Sequence, residues 1–130
     1  MSIDDITHRL RAFEFGSDSC SELAELGDEI ARHSDGHELI EEVLRLFERY
    51  PTADFGLPGP LAHAIERFYR RGYEKNLADS LHRKPTLLTL WLAHRIVQAR
   101  DENAPLFLSI LQTVANRSDL DSEIVAEAKE

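Results

Sequence analysis

Apolar residues in this chain recur at spacings of three and four, and no run alternates with a period of two. That periodicity is the strongest constraint on the fold, because a residue pattern of period 3.6 buries one face of a helix and cannot bury one face of a strand. The segment "ELIEEVLRLFERY" is the clearest case. Leu39, Ile40, Val43, Leu44, Phe47 and Tyr50 fall on one stripe, and Pro51 ends it. Upstream, "SELAELGDEIARH" puts Leu23, Leu26 and Ile30 on one face, with Ser19 or Ser21 as the expected cap. A first short helix near Ile3 to Phe13 carries Ile6, Leu10 and Phe13.

The pattern continues after Pro60. Leu61, Ile65, Phe68 and Tyr69 form a stripe that Gly72 interrupts, and Tyr73, Leu77 and Leu81 form the next. "PTLLTLWLAHRIVQAR" is apolar almost all round, which predicts a central helix. "PLFLSILQTVANR" and a tail helix around Ile124 and Val125 follow. Pro60, Pro85 and Pro105 are each expected in a first helical turn, where the missing N–H costs nothing. The reading is an all-α fold of seven or eight short helices in antiparallel pairs, a HEAT- or armadillo-like α-solenoid, with an irregular helical bundle as the alternative. At 130 residues the whole chain, 1–130, is expected to be a single helical domain.

The stretch "FGLPGPLAH", Phe55 to His63, is the one break in this texture. Leu57 and Gly59 each precede a proline, which biases both to extended backbone and makes the segment a rigid joint. Its rigidity is expected to aim His63 and Glu66 toward the protein centre. "GLPG" is no phosphate loop, since its prolines remove N–H donors and no strand precedes it.

Charge divides the chain at the same joint. Residues 1–55 hold 14 Asp/Glu and 5 Lys/Arg, a balance of −9, whereas residues 56–130 hold 10 of each. An acidic half argues against nucleic-acid binding, which needs a basic footprint. It suits a basic partner, because complementary fields steer encounter. Glu22, Glu25, Asp28, Glu29, Glu38, Glu41 and Glu42 are the candidate contacts. A single cysteine, Cys20, excludes an internal disulfide. The polar start "MSIDDITHRL" leads to the expectation of no cleaved secretion signal, and the longest dense apolar stretch, Leu87 to Ala93, is too short for a bilayer. The expected setting is the cytoplasm, with no membrane partner.

Catalytic chemistry finds little support. His63 and Glu66 lie at i, i+3, a possible acid–base pair or half a metal site, but no further ligands stand at matching spacing. "HSDGH", His33 to His37, reads as an exposed turn. Ser80 has no nucleophile elbow and Cys20 no flanking signature. No enzyme activity, cofactor or metal is expected. The polar residues accompanying the apolar centre are more telling. Ser80, Arg83, Thr86, Thr89 and Arg95 are read, with His63 and Glu66, as a structural network, Glu66 being the acid partner of Arg83 or Arg95. If that arginine were buried, Glu66→Ala would cost about 2–4 kcal/mol. The same two arginines are the alternative partner contacts.

"GLPGPLAHAIE", followed by "SLHRKPTLLTLWLAHRI", resembles small all-helical bacterial immunity proteins encoded beside polymorphic or contact-dependent toxins. The matching positions are Gly56, Pro58, Gly59, Pro60, His63, Glu66, Ser80, Arg83, Pro85, Thr86, Thr89, Trp91 and Arg95. The resemblance implies a protein that binds and blocks a cognate toxin domain, and a basic nuclease is the expected kind of target. A helical-repeat adaptor or regulatory subunit is the alternative.

Overall fold

A computed structural model describes residues 1–56 and 58–130. The expected extended backbone of Leu57 lies outside the described residues. Among the described residues the chain forms eight α-helices and no strand: α1 (Ile3–Ala12), α2 (Ser19–Arg32), α3 (Ile40–Arg49), α4 (Pro60–Glu66), α5 (Tyr73–Arg83), α6 (Leu87–Ala99), α7 (Ala104–Ala115) and α8 (Ser122–Lys129). A 3₁₀ turn (Gly36–Leu39) leads into α3. No helix among them is long and apolar enough to cross a membrane.

Local chemistry explains most of the boundaries. Ser2 and Asp5 form a reciprocal capping box at α1, and Thr86 and Thr89 form another at α6. Pro60 occupies the first turn of α4 and Pro105 that of α7, as the sequence predicts. Pro85 does not: it stands before the cap of α6, and the Thr86 hydroxyl receives the Thr89 N–H at 3.0 Å instead. Neither serine caps α2: Asp18 holds the N-cap position without a side-chain bond, and the Ser19 hydroxyl donates to the Gly16 carbonyl at 2.8 Å. Helix α4 stops at Glu66, so Phe68 and Tyr69 reach the interior from a turn and not from a helical face.

The core runs through every helix. Tyr73, Phe47, Phe107, Ile6, Leu10 and Leu26 are among the largest fully buried side chains. Helix α6 buries Leu88, Leu90, Leu92, Ala93 and Ile96, in keeping with its all-round apolar sequence. It packs on α7 and α8, while α2 packs on α4 and α3 on α5. The α2–α4 contact is closest at Gly27, where an added Cβ would stand 2.8 Å from the Pro60 carbonyl oxygen. The turn around His33 to His37 is not simply exposed, because Gly36 is buried against Ile30 and Phe68.

Candidate functional site

The residues read from sequence as one network separate into two clusters. The first is buried and centres on Glu48, at the end of α3. Its side chain is only 8 % exposed. Ser80 on α5 donates to its Oε2 at 2.8 Å, and Arg83 donates from Nη2 at 2.6 Å and from Nε to Oε1 at 2.9 Å. The charge-assisted bond holds the Arg83 guanidinium above its ordinary pKa. Arg45 approaches the same carboxylate at 3.7 Å. Next to this cluster the Leu87 N–H donates to the Pro51 carbonyl at 2.9 Å, and Thr86 and Thr89 are buried in their capping box. Ser80 and Arg83 thereby tie α5 to α3, and the Leu87 N–H ties the start of α6 to Pro51 just beyond α3, while Thr86 and Thr89 bond only within their own cap.

The second cluster lies at the surface between α4 and α6. Arg95 Nε donates to Glu66 Oε2 at 2.7 Å, and the Arg95 guanidinium lies over the Trp91 ring, 5.0 Å from its centroid. Trp91 and Arg95 are one turn apart on α6, which makes them face neighbours. His63 Nδ1 sits 3.5 Å from Glu66 Oε1. Glu66 therefore pairs with Arg95 and not with Arg83. His63 is not aimed at the centre, for its side chain is 62 % exposed; the Glu66 side chain is 19 % exposed, but the arginine it meets is 48 % exposed. With so exposed a partner, Glu66→Ala should lower the unfolding free energy by only about 1 kcal/mol or less, well under the buried-arginine expectation. A urea titration measures it, and a loss above about 2 kcal/mol would restore the buried-arginine reading.

A cavity of about 400 Å³ opens beside this ion pair, lined by Glu66, Tyr69, Tyr73, Arg95, Ile96 and Ala99 with Gln98 at its rim. That size falls in the range of small-molecule sites. Tyr69 is committed. Its hydroxyl donates to Asp101 and accepts from the Asn103 amide at 2.9 Å. Burial first, then that bond to Asp101, raises the Tyr69 pKa, and the same bond lowers that of Asp101. Arg70 reaches Glu102 and lies 5.4 Å over the Tyr69 ring. Tyr73 differs. It is 2 % exposed, and its hydroxyl has no hydrogen-bond partner among the described residues. Burial, reinforced by the negative charge of Glu66, pushes its pKa well above the ordinary value.

The acidic residues of the first half carry more internal pairing than their sequence suggests. Arg9 on α1 is shared by Glu25 at 2.8 Å and Glu22 at 3.5 Å. Arg11 pairs with Glu42, Arg32 with Asp28 and Arg45 with Glu41, while Glu29 meets the Met1 amino group at 3.4 Å. Of the seven candidate contacts, Glu38 alone has no cation within 4 Å among the described residues.

Two participants escaped the sequence reading. Glu48 left a usable signal, since it follows Leu44 by one turn on a helix whose stripe is otherwise apolar. The meeting of Tyr69 with Asp101, 32 residues away, left none. Among the described residues no group of three His, Cys, Asp or Glu is placed to hold a metal ion. Comparison of the chain with family models, curated proteins and solved structures finds no match.

Proposed function

We propose that this protein is an immunity protein that binds and neutralises a cognate bacterial toxin domain in the cytoplasm, presenting an acidic helical surface to a basic partner. The observation that carries the reading is the unbalanced charge of the first half. Its 5 arginines face 14 acids, so single arginines are shared between two carboxylates, as Arg9 is by Glu22 and Glu25. Internal pairing leaves a strong negative excess on α1–α3, which steers a basic protein and repels nucleic acid. The immunity-protein motif supports it independently. Part of that motif is absorbed in the Glu48 cluster, but His63, Glu66, Trp91 and Arg95 share one surface patch. A HEAT-like solenoid is the arrangement we propose for the helices, because most packing joins helices one or two apart in the chain.

The test is co-expression with the product of the adjacent upstream gene. That product alone should arrest growth, and this protein should restore it and co-purify with it. Glu22→Lys, Glu25→Lys and Glu38→Lys together should slow association about tenfold at low salt, with the difference fading as salt rises. A harmless neighbour, or a toxic one that this protein neither binds nor relieves, refutes the reading. The second reading, a helical adaptor for another protein, draws on Leu106 and Leu108 of α7, which are 51 % and 46 % exposed.

A further inference from the structure

We propose that the cavity between α4, α5 and α6 is a binding site for an uncharged carbonyl or amide group carried on an aromatic or branched apolar body, received by the Tyr73 hydroxyl. Three observations converge on that chemistry. The Tyr73 side chain lines the cavity, is 98 % buried, and carries a hydroxyl without a partner among the described residues. An unpaired buried hydroxyl is unfavourable, and a ligand oxygen that accepts from it removes the penalty. Burial and the nearby Glu66 keep that phenol protonated, so it acts as a donor.

The charges around the cavity select a neutral ligand. Glu66 and Arg95 neutralise one another at 2.7 Å, and the Tyr69 hydroxyl is saturated by Asp101 and Asn103. An anionic ligand meets Glu66 unless it takes Arg95 away from it, and a cationic one meets Arg95 unless it takes Glu66 away. A neutral acceptor leaves that pair intact and still finds the Arg95 terminal nitrogens and the Gln98 amide as additional donors. The remaining walls, the rings of Tyr69 and Tyr73 with Ile96 and Ala99, are suited to an apolar body.

The same group could reach the site on a free small molecule or as a glutamine side chain of a protein partner, and the experiment separates these. Isotope-labelled protein is titrated at neutral pH with three isosteric probes, benzamide, benzoate and benzamidine, and with N-acetylglutamine N-methylamide. Benzamide, the glutamine amide, or both should shift the resonances of Tyr69, Tyr73, Ile96 and Ala99 saturably. The better amide should bind at least about fivefold more tightly than either charged probe. The ratio of the two amides tells a free ligand from a side chain. Tyr73→Phe keeps every wall and should weaken the better amide about five- to tenfold, the usual worth of one buried hydrogen bond. Ala99→Phe, at an exposed position on the rim, should occlude the site and abolish the shifts. Equal binding of all three isosteres, unchanged affinity in Tyr73→Phe, or shifts that map elsewhere overturn the proposal. None of these outcomes depends on a toxin being the partner of the acidic face.

Discussion

Arg83→Ala should lower the unfolding free energy by about 3–4 kcal/mol, the lower part of the range for loss of one partner from a buried ion pair. The reason lies in what remains. Glu48 is a charged carboxylate with 8 % of its side chain exposed, and without Arg83 it keeps only the Ser80 hydroxyl and an arginine 3.7 Å away. Desolvation of an ion is tolerated only while a close opposite charge and hydrogen bonds replace water. Arg83 supplies three of those bonds. Removing both charges together is a different matter. Glu48→Gln with Arg83→Met retains the bond from Ser80 and the packing volume, and should lie within about 1.5 kcal/mol of the parent. A double-mutant cycle by urea denaturation reads the coupling directly. If Arg83→Ala costs no more than Arg45→Ala, the Glu48 cluster is not the tie described above.

Gly59→Ala is the second large effect, at about 3 kcal/mol or more. Gly59 caps α4 with φ at 91° and ψ at 172°, a combination essentially restricted to glycine. A Cβ there would also drive into the Phe55 carbonyl oxygen, which is backbone and cannot swing aside. Strain and clash therefore add. Gly16→Ala is the matched control, because nothing lies within 4 Å of a Cβ at that exposed position. It should shift the thermal midpoint by a few degrees at most, whereas Gly59→Ala should lower it by about 10 °C or more. Equal midpoints for the two variants would remove the joint from any role in stability.

The helices were legible because each announces itself locally. The stripe from Leu39 to Tyr50 and the proline before α4 need only their own neighbours to be understood. Boundaries were less legible where a side chain had a competing local bond, as Ser19 does with Gly16. The site was read least well, and for one physical reason. Its pairings are between distant segments, and a charge pattern does not state which arginine meets which acid. Arg83 finds Glu48, 35 residues back, and Arg95 finds Glu66, 29 residues back. Spacing alone lets Glu66 meet either arginine. The energetic weight expected of Glu66 belongs instead to Glu48, because burial of the partner left behind sets the cost.

The ties at the end of α3 bear on how the chain could be divided. The Pro51 carbonyl and Glu48 lie before the glycine-proline joint, yet their partners Leu87, Ser80 and Arg83 lie after it. A cut at that joint would leave each piece holding half of a buried charge pair. Two fragments, 1–56 and 58–130, should therefore each be poorly ordered alone and regain helical structure on mixing, as a split protein reassembled by complementation. Reassembly should fail when the second fragment carries Arg83→Ala, which makes the ion pair the address by which one half recognises the other.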